Sequence, residues 1–119
     1  MKYALLIILV CSLFACKQKE TQPMSKEAEI GMHTLKELNL DYVAMECVRD
    51  VGAEHCIGYL DEITPVKATE RAVDRFLADH DHFENIEGRL FNYRLAGQDY
   101  TVNFLITSNE VRIIVKEAV

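Results

Sequence analysis

Between Phe91 and Val115 apolar and polar side chains alternate with a period of two, and no other feature limits the fold of this chain as strongly. Phe91, Tyr93 and Leu95 form one apolar set, Tyr100, Val102, Phe104 and Ile106 a second, and Val111, Ile113 and Val115 a third. Successive side chains of a strand point to opposite faces, so each set reads as the buried face of one strand. Two-residue turns at Gly97-Gln98 and Ser108-Asn109 would join the three. They pair Leu95 with Tyr100, Tyr93 with Val102 and Phe91 with Phe104, then Ile106 with Val111, Phe104 with Ile113 and Val102 with Val115. Every one of these side chains then shares a face, an agreement that a one-residue slip destroys.

Upstream the period changes. In "ITPVKATERAVDRFLADHDHF" Thr64 stands where it can cap a helix and Pro65 at a first helical position, where its missing N–H costs nothing. Val66, Val73, Phe76, Leu77 and His80 fall on one side, predicting a helix from about 65 to 82 with that side inward. Nearer the start, Ser25 is an N-cap residue with Glu27 and Glu29 in the first turn. Ala28, Met32, Leu35, Leu38, Tyr42 and Met45 then recur at steps of three and four. The stripe breaks at "NLD", and Asn39 or Asp41 caps a second short helix running through Cys47 to Val51 and stopping at Gly52. "EHCIGYL" fits a short strand or a helical turn.

The expected fold class is therefore α+β: N-terminal helices and a central helix packed on a C-terminal three-stranded antiparallel meander. The element order resembles cystatin-like or NTF2-like cones, a likeness carried by no motif and silent about function.

The first residues form a separate problem. Lys2 is followed by an apolar run from Ala4 to Ala15, interrupted only by Ser12, which is shorter than the roughly 20 residues a helix needs to cross a bilayer. The run ends in Leu13, Phe14, Ala15 and Cys16, which resemble the lipobox of bacterial lipoproteins cut by a type II signal peptidase. The resemblance implies cleavage after Ala15, diacylation of the Cys16 sulfur and acylation of the new amino terminus, palmitate being the usual kind of chain. A single acyl chain holds a protein only marginally, and several make the attachment durable. "KQKETQPMS" has no apolar periodicity and reads as a tether. Lys17 is not the Asp that marks inner-membrane retention in enteric-type bacteria, so the resemblance points to the outer membrane, with the leaflet open. The organisation expected is a signal peptide over 1–15, a lipid anchor and tether over 16–26, and one globular domain over 27–119.

This assignment decides the cysteines. Cys11 leaves with the signal and Cys16 carries lipid, leaving Cys47 and Cys56 as an even pair in an oxidising compartment. A disulfide closing their loop of about ten residues stabilises by roughly 2.5 kcal/mol on the chain-entropy account. A metal or redox pair is the competing reading, but the Cys-x-x-Cys spacing is missing. Loss of Lys2 with the signal turns 13 basic residues into 12 against 19 acidic, a formal charge of −7 for the remainder. Nucleic acid is thereby disfavoured as a partner, since cationic side chains supply most of such affinity. A basic protein partner would gain in encounter rate.

Chemistry-bearing residues are few. "ADHDHFE" gathers Asp79, His80, Asp81, His82 and Glu84, side chains that ligate Zn²⁺ or Cu²⁺. On a continuing helix His80 and His82 point apart, and only spacings of three or four meet, as in Asp79 with His82 or His80 with Glu84. The plainer reading is a polar helix end with His80 half buried. His33 and His55 stand without a recognisable partner pattern. No cofactor is implied beyond the covalent lipid. Beyond the signal the serines are Ser25 and Ser108, neither in a strand-to-helix elbow that would present a nucleophile. There is no Gly-rich phosphate loop.

On the other face of the meander Asn92, Arg94, Thr101, Asn103, Arg112 and Lys116 are polar, yet Leu90 falls opposite Leu105 with Ile114 diagonal to it. Such a cluster is either covered by the N-terminal helices or open to a partner. The expectation is a non-catalytic, lipid-anchored envelope protein that binds a protein through Leu90, Leu105 and Ile114, of an inhibitor, immunity or assembly-accessory type. It resembles lipoprotein inhibitors of lysozyme in profile, but departs from their nearly all-β barrels in its helical half. The alternative is a metal-binding lipoprotein using His80 and His82 with Asp79 and Glu84.

Overall fold

The computed structural model describes residues 24–61 and 64–118, so the lipobox and Cys16 lie outside the described residues. In chain order the elements are α1 (Lys26–Leu38), β1 (Tyr42–Asp50), β2 (Ala53–Leu60), α2 (Val66–Asp79), β3 (Phe83–Glu87), β4 (Leu90–Leu95), β5 (Gln98–Ile106) and β6 (Glu110–Glu117). The strands form one antiparallel sheet in the order β1-β2-β6-β5-β4-β3. The expected three-stranded meander under several helices is thus corrected to a six-stranded sheet with two helices.

Helix α1 begins as its sequence suggests. Ser25 Oγ accepts from the Ala28 N–H at 3.1 Å, and Glu27 and Glu29 occupy the first turn. It ends at Asn39, whose φ of 53° is the left-handed conformation that stops helices. Its inner side is Ala28, Ile30, Gly31, Thr34 and Leu35, and the stripe does not continue into Tyr42 and Met45.

Those two residues belong to β1, and the expected second short helix is a strand. Tyr42, Val43 and Val48 favour strands, while the spacing of Leu38, Tyr42 and Met45 also fits a helix, an ambiguity that short apolar segments carry. Pairing resolves it. Gly52, expected to stop a helix, instead forms a two-residue hairpin turn with Val51, at φ of 73° and 48°. Cys47 then falls directly opposite Cys56 and the two are joined in a disulfide. Two glycines let neighbours come close: a Cβ on Gly31 would lie 2.5 Å from the Cys56 sulfur, and one on Gly58 would collide with the Tyr42 ring. Tyr42 reaches across β2 in this way and donates its hydroxyl to the Leu35 carbonyl at 2.7 Å, tying β1 to the end of α1.

In the meander the β5–β6 register is the expected one, with Ile106 opposite Val111, Phe104 opposite Ile113 and Val102 opposite Val115. The β4–β5 register differs by two residues. The turn is Ala96-Gly97, with both φ positive, so Leu95 pairs with Gln98, Tyr93 with Tyr100 and Phe91 with Val102. A shift of two preserves the face, so Phe91 and Phe104 still meet, now diagonally and edge-to-face at 5.9 Å. "FENIE", just past the expected helix end at about 82, is the edge strand β3. Phe83 turns inward from it against Phe91 and Phe104.

Helix α2 ends at Asp79 rather than 82, and Pro65 occupies its N-cap position without a side-chain cap. Its Val73 and Leu77 join Ile30 and Leu35 of α1 and the inward residues of β2, β4, β5 and β6 in one core. Both helices therefore cover the same face of the sheet.

Candidate binding face and the histidine cleft

With both helices on one side, the other side of the sheet is bare. Its side chains are the alternate residues of each strand, and the register sets them in rows. One row runs Val48, His55, Ile114, Asn103, Leu90, and the next Glu46, Ile57, Arg112, Leu105. The apolar members form a diagonal strip. Ile57 is only 3 % exposed, whereas Val48 and Leu105 are 48 % and 45 % exposed. Leu90 and Ile114 are half-buried.

A polar frame surrounds the strip. Tyr59 donates to Glu46 Oε1 at 2.6 Å, and this bond to a carboxylate holds its phenol above the ordinary value. Arg112 extends across the strip, with Nη2 at 3.3 Å from Glu110 Oε1 and Nη1 at 3.4 Å from His55 Nδ1. Aliphatic side chains ringed by Tyr and Arg make up the centre and margin of many protein interfaces.

Leu90, Leu105 and Ile114 share this face, but Leu90 does not fall opposite Leu105 as expected. Leu90 and Ile114 flank Asn103 on its two sides, and Leu105 pairs with Arg112. Val48 and Ile57 were not expected in this strip, since β1 reads as a helix until its pairing with β2 is known.

Of the residues proposed for a metal, His80 and His82 come together edge-to-face with ring centroids 5.8 Å apart, but Asp79 and Glu84 do not complete a ligand set with them. His80 caps the end of α2, its Nδ1 lies 2.8 Å from the Phe76 carbonyl, and its ring stacks on Phe76 at 3.9 Å. His82 stands edge-on to Tyr93, and Glu84 pairs across the sheet with Asn92. Asp79 is exposed at the last turn of α2. Among the described residues no group of three His, Cys, Asp or Glu side chains is arranged to hold a metal ion.

His80 does meet one side chain from α1, Glu37, which also holds His33. Glu37 Oε2 lies 3.2 Å from His80 Nε2, and Glu37 Oε1 lies 2.8 Å from His33 Nε2. The three border a cleft of about 50 Å³ walled by Phe76, Phe83 and Tyr93. Both nitrogens of His80 face acceptors, so both contacts are hydrogen bonds when the ring carries two protons. The arrangement acts as a clasp between the helices. The spacing of four between His33 and Glu37 is the signal that sequence reading passed over.

Neither cysteine of the domain is a free thiol, since both are spent in the disulfide. Ser25 is engaged as the α1 cap and donates to Glu54 Oε1 at 3.3 Å, and Ser108 lies in the exposed β5–β6 turn. No nucleophile and base stand together among these side chains. No family model, curated protein or solved structure matches the chain.

Proposed function

We propose that the chain is a non-catalytic, lipid-anchored protein of the bacterial cell envelope that binds a protein partner on the open face of its sheet. One observation carries this reading: Val48, Ile57, Ile114, Leu105 and Leu90 form an apolar strip that neither helix covers. Scattered exposed apolar residues are ordinary, but a contiguous strip inside a polar frame is the composition of a recognition surface. The lipobox-like Leu13-Phe14-Ala15-Cys16 and the Lys17 that follows support attachment to the outer membrane. The acidic balance supports a basic partner, drawn in by charge and retained by the apolar strip.

The test is site-specific photocrosslinking in intact envelopes, with the photoreactive side chain at Leu105 on the open face or at Lys36 on the exposed side of α1. A discrete adduct from position 105, lost when purified soluble domain from Ser25 onward competes, is the expected result. Adducts from Lys36 and none from Leu105 would place recognition on the helical side and remove this reading.

A further inference from the structure

The chain that leads from Cys16 enters the domain at one particular corner. Ser25 donates to Glu54, and Arg49 Nη1 lies 3.4 Å from Glu54 Oε1 and 3.7 Å from Glu27 Oε2. Arg49 and Glu54 face each other one step before the pair Asp50 and Ala53 that closes the β1–β2 turn. Met24 therefore lies beside the tip of that hairpin, far from the β5–β6 turn at the other end of the strands.

The tip itself is unusual. Val51 is 94 % exposed and holds a φ of 48°. A β-branched side chain in the left-handed region is sterically disfavoured, and glycine, asparagine or aspartate is the ordinary occupant. Nothing among the described residues packs closely on Val51 to offset that cost, and Met24, on the same corner as Arg49 and Glu54, is also 47 % exposed. Strain at an exposed tip points to something outside the fold. The eight residue-to-residue steps from Cys16 to Met24 span at most about 29 Å, so whatever holds Cys16 lies within reach of this corner.

We propose that the β1–β2 hairpin tip at Val51, with Met24 beside it, rests on the lipid surface that holds Cys16. The inference depends on acylation of Cys16 as read above. The charges at this end, Lys26, Arg49 and Lys116 against Glu27, Glu29, Asp50, Glu54 and Glu117, leave no basic excess, so the contact is apolar rather than an attraction to anionic headgroups. One valine and one methionine are too little to bind a membrane alone, but tethering makes the contact intramolecular and raises its effective concentration. β1 and β2 then run away from the bilayer, and the open sheet face stands upright beside it, accessible to a partner.

The chain contains no tryptophan, so Val51→Trp introduces a single indole probe. Full-length lipidated protein carrying it is placed in phosphatidylethanolamine–phosphatidylglycerol vesicles with and without brominated acyl chains. Its emission is expected to shift to the blue and to lose most of its intensity to bromine, as is that of Met24→Trp, while Ser108→Trp at the far turn does neither. The soluble domain from Ser25 onward with Val51→Trp is expected to show no shift. Emission from both near-end probes matching Ser108→Trp, with acyl chains on Cys16 confirmed by mass spectrometry, overturns the inference and leaves the anchor intact. A Cys16 without acyl chains removes the anchoring reading and the inference with it. A blue shift that grows with protein density and resists bromine assigns the tip to a second copy of the chain and overturns the lipid assignment.

Discussion

Gly31 of α1 lies against the Cys56 sulfur so closely that a Cβ at position 31 would stand 2.5 Å from Sγ and 2.8 Å from the Cys56 Cβ. The helix thus rests on the disulfide, which explains a glycine in mid-helix where it costs about 1 kcal/mol relative to alanine. Gly31→Ala should destabilise the oxidised domain by about 1–2 kcal/mol in urea denaturation, the overpacking outweighing the gain in helix propensity. In a Cys56→Ala background the sulfur contact is gone but the contact with the Cβ of residue 56 stays, so the same substitution should cost less without becoming free. Equal effects in the two backgrounds would show that the contact does not govern position 31.

The disulfide links residues already opposed across a tight hairpin, so part of its loop entropy is recovered by the turn itself. Reduction should lower stability by at most about 2.5 kcal/mol. Mass spectrometry of protein made in an oxidising compartment should find Cys47 and Cys56 linked, and two free thiols would contradict the arrangement.

Tyr42 carries a pH dependence. Burial raises its phenol above the ordinary value of 10.0, the hydroxyl being held on the Leu35 carbonyl. The unfolded phenol therefore loses its proton first, and stability that is complete below about pH 10 falls as pH rises beyond it. Tyr42→Phe should cost about 1 kcal/mol at neutral pH and flatten that alkaline fall. An unchanged fall in the variant would assign it to other groups.

Arg89 joins the β3–β4 turn to α2. Its Nε and Nη2 meet Asp74 at 3.0 and 3.2 Å, Nη2 meets Glu70 at 3.1 Å, and the Asp74 bonds lead the causes that raise the guanidinium above its ordinary value. Arg89→Lys should lose the two-pronged geometry and about 0.5–1 kcal/mol, less at high salt because the group is partly exposed. Thermal unfolding at low and high ionic strength measures this directly.

The two faces of β5 should respond oppositely. Val102→Asp places a charge in the fully buried core and should unfold the domain. Leu105→Asp, three residues away and exposed, should change stability by less than about 0.5 kcal/mol while depriving the soluble domain of its ability to compete away the adduct formed from position 105. A folded Leu105→Asp domain that still competes for the partner would count against the open face.

What the chain reveals unaided is whatever local periodicity and short-range turns dictate. The alternation from Tyr100 to Val115 sets both the strands β5 and β6 and their register, because Ser108-Asn109 leaves one way to keep every apolar residue on one side. It leaves β4 uncertain by two residues, since moving the turn from Gly97-Gln98 to Ala96-Gly97 keeps the same face and pattern cannot tell them apart. Cys47 and Cys56 were paired by elimination, and Ser25 and Pro65 mark the helix starts to within a residue.

Tertiary structure alone decided β1, whose Tyr42, Met45 and Val48 satisfy a helical spacing although Met45 and Val48 point to opposite faces of the strand. Only the partner strand β2, the disulfide and the close passage of Tyr42 over Gly58 make the extended form the stable one. It decided likewise that β3 extends the sheet and that Glu37 joins His33 to His80. The bare face follows from the same cause. Which side of a sheet two helices cover depends on contacts between residues far apart in the chain, and those contacts leave Leu105 and Val48 uncovered.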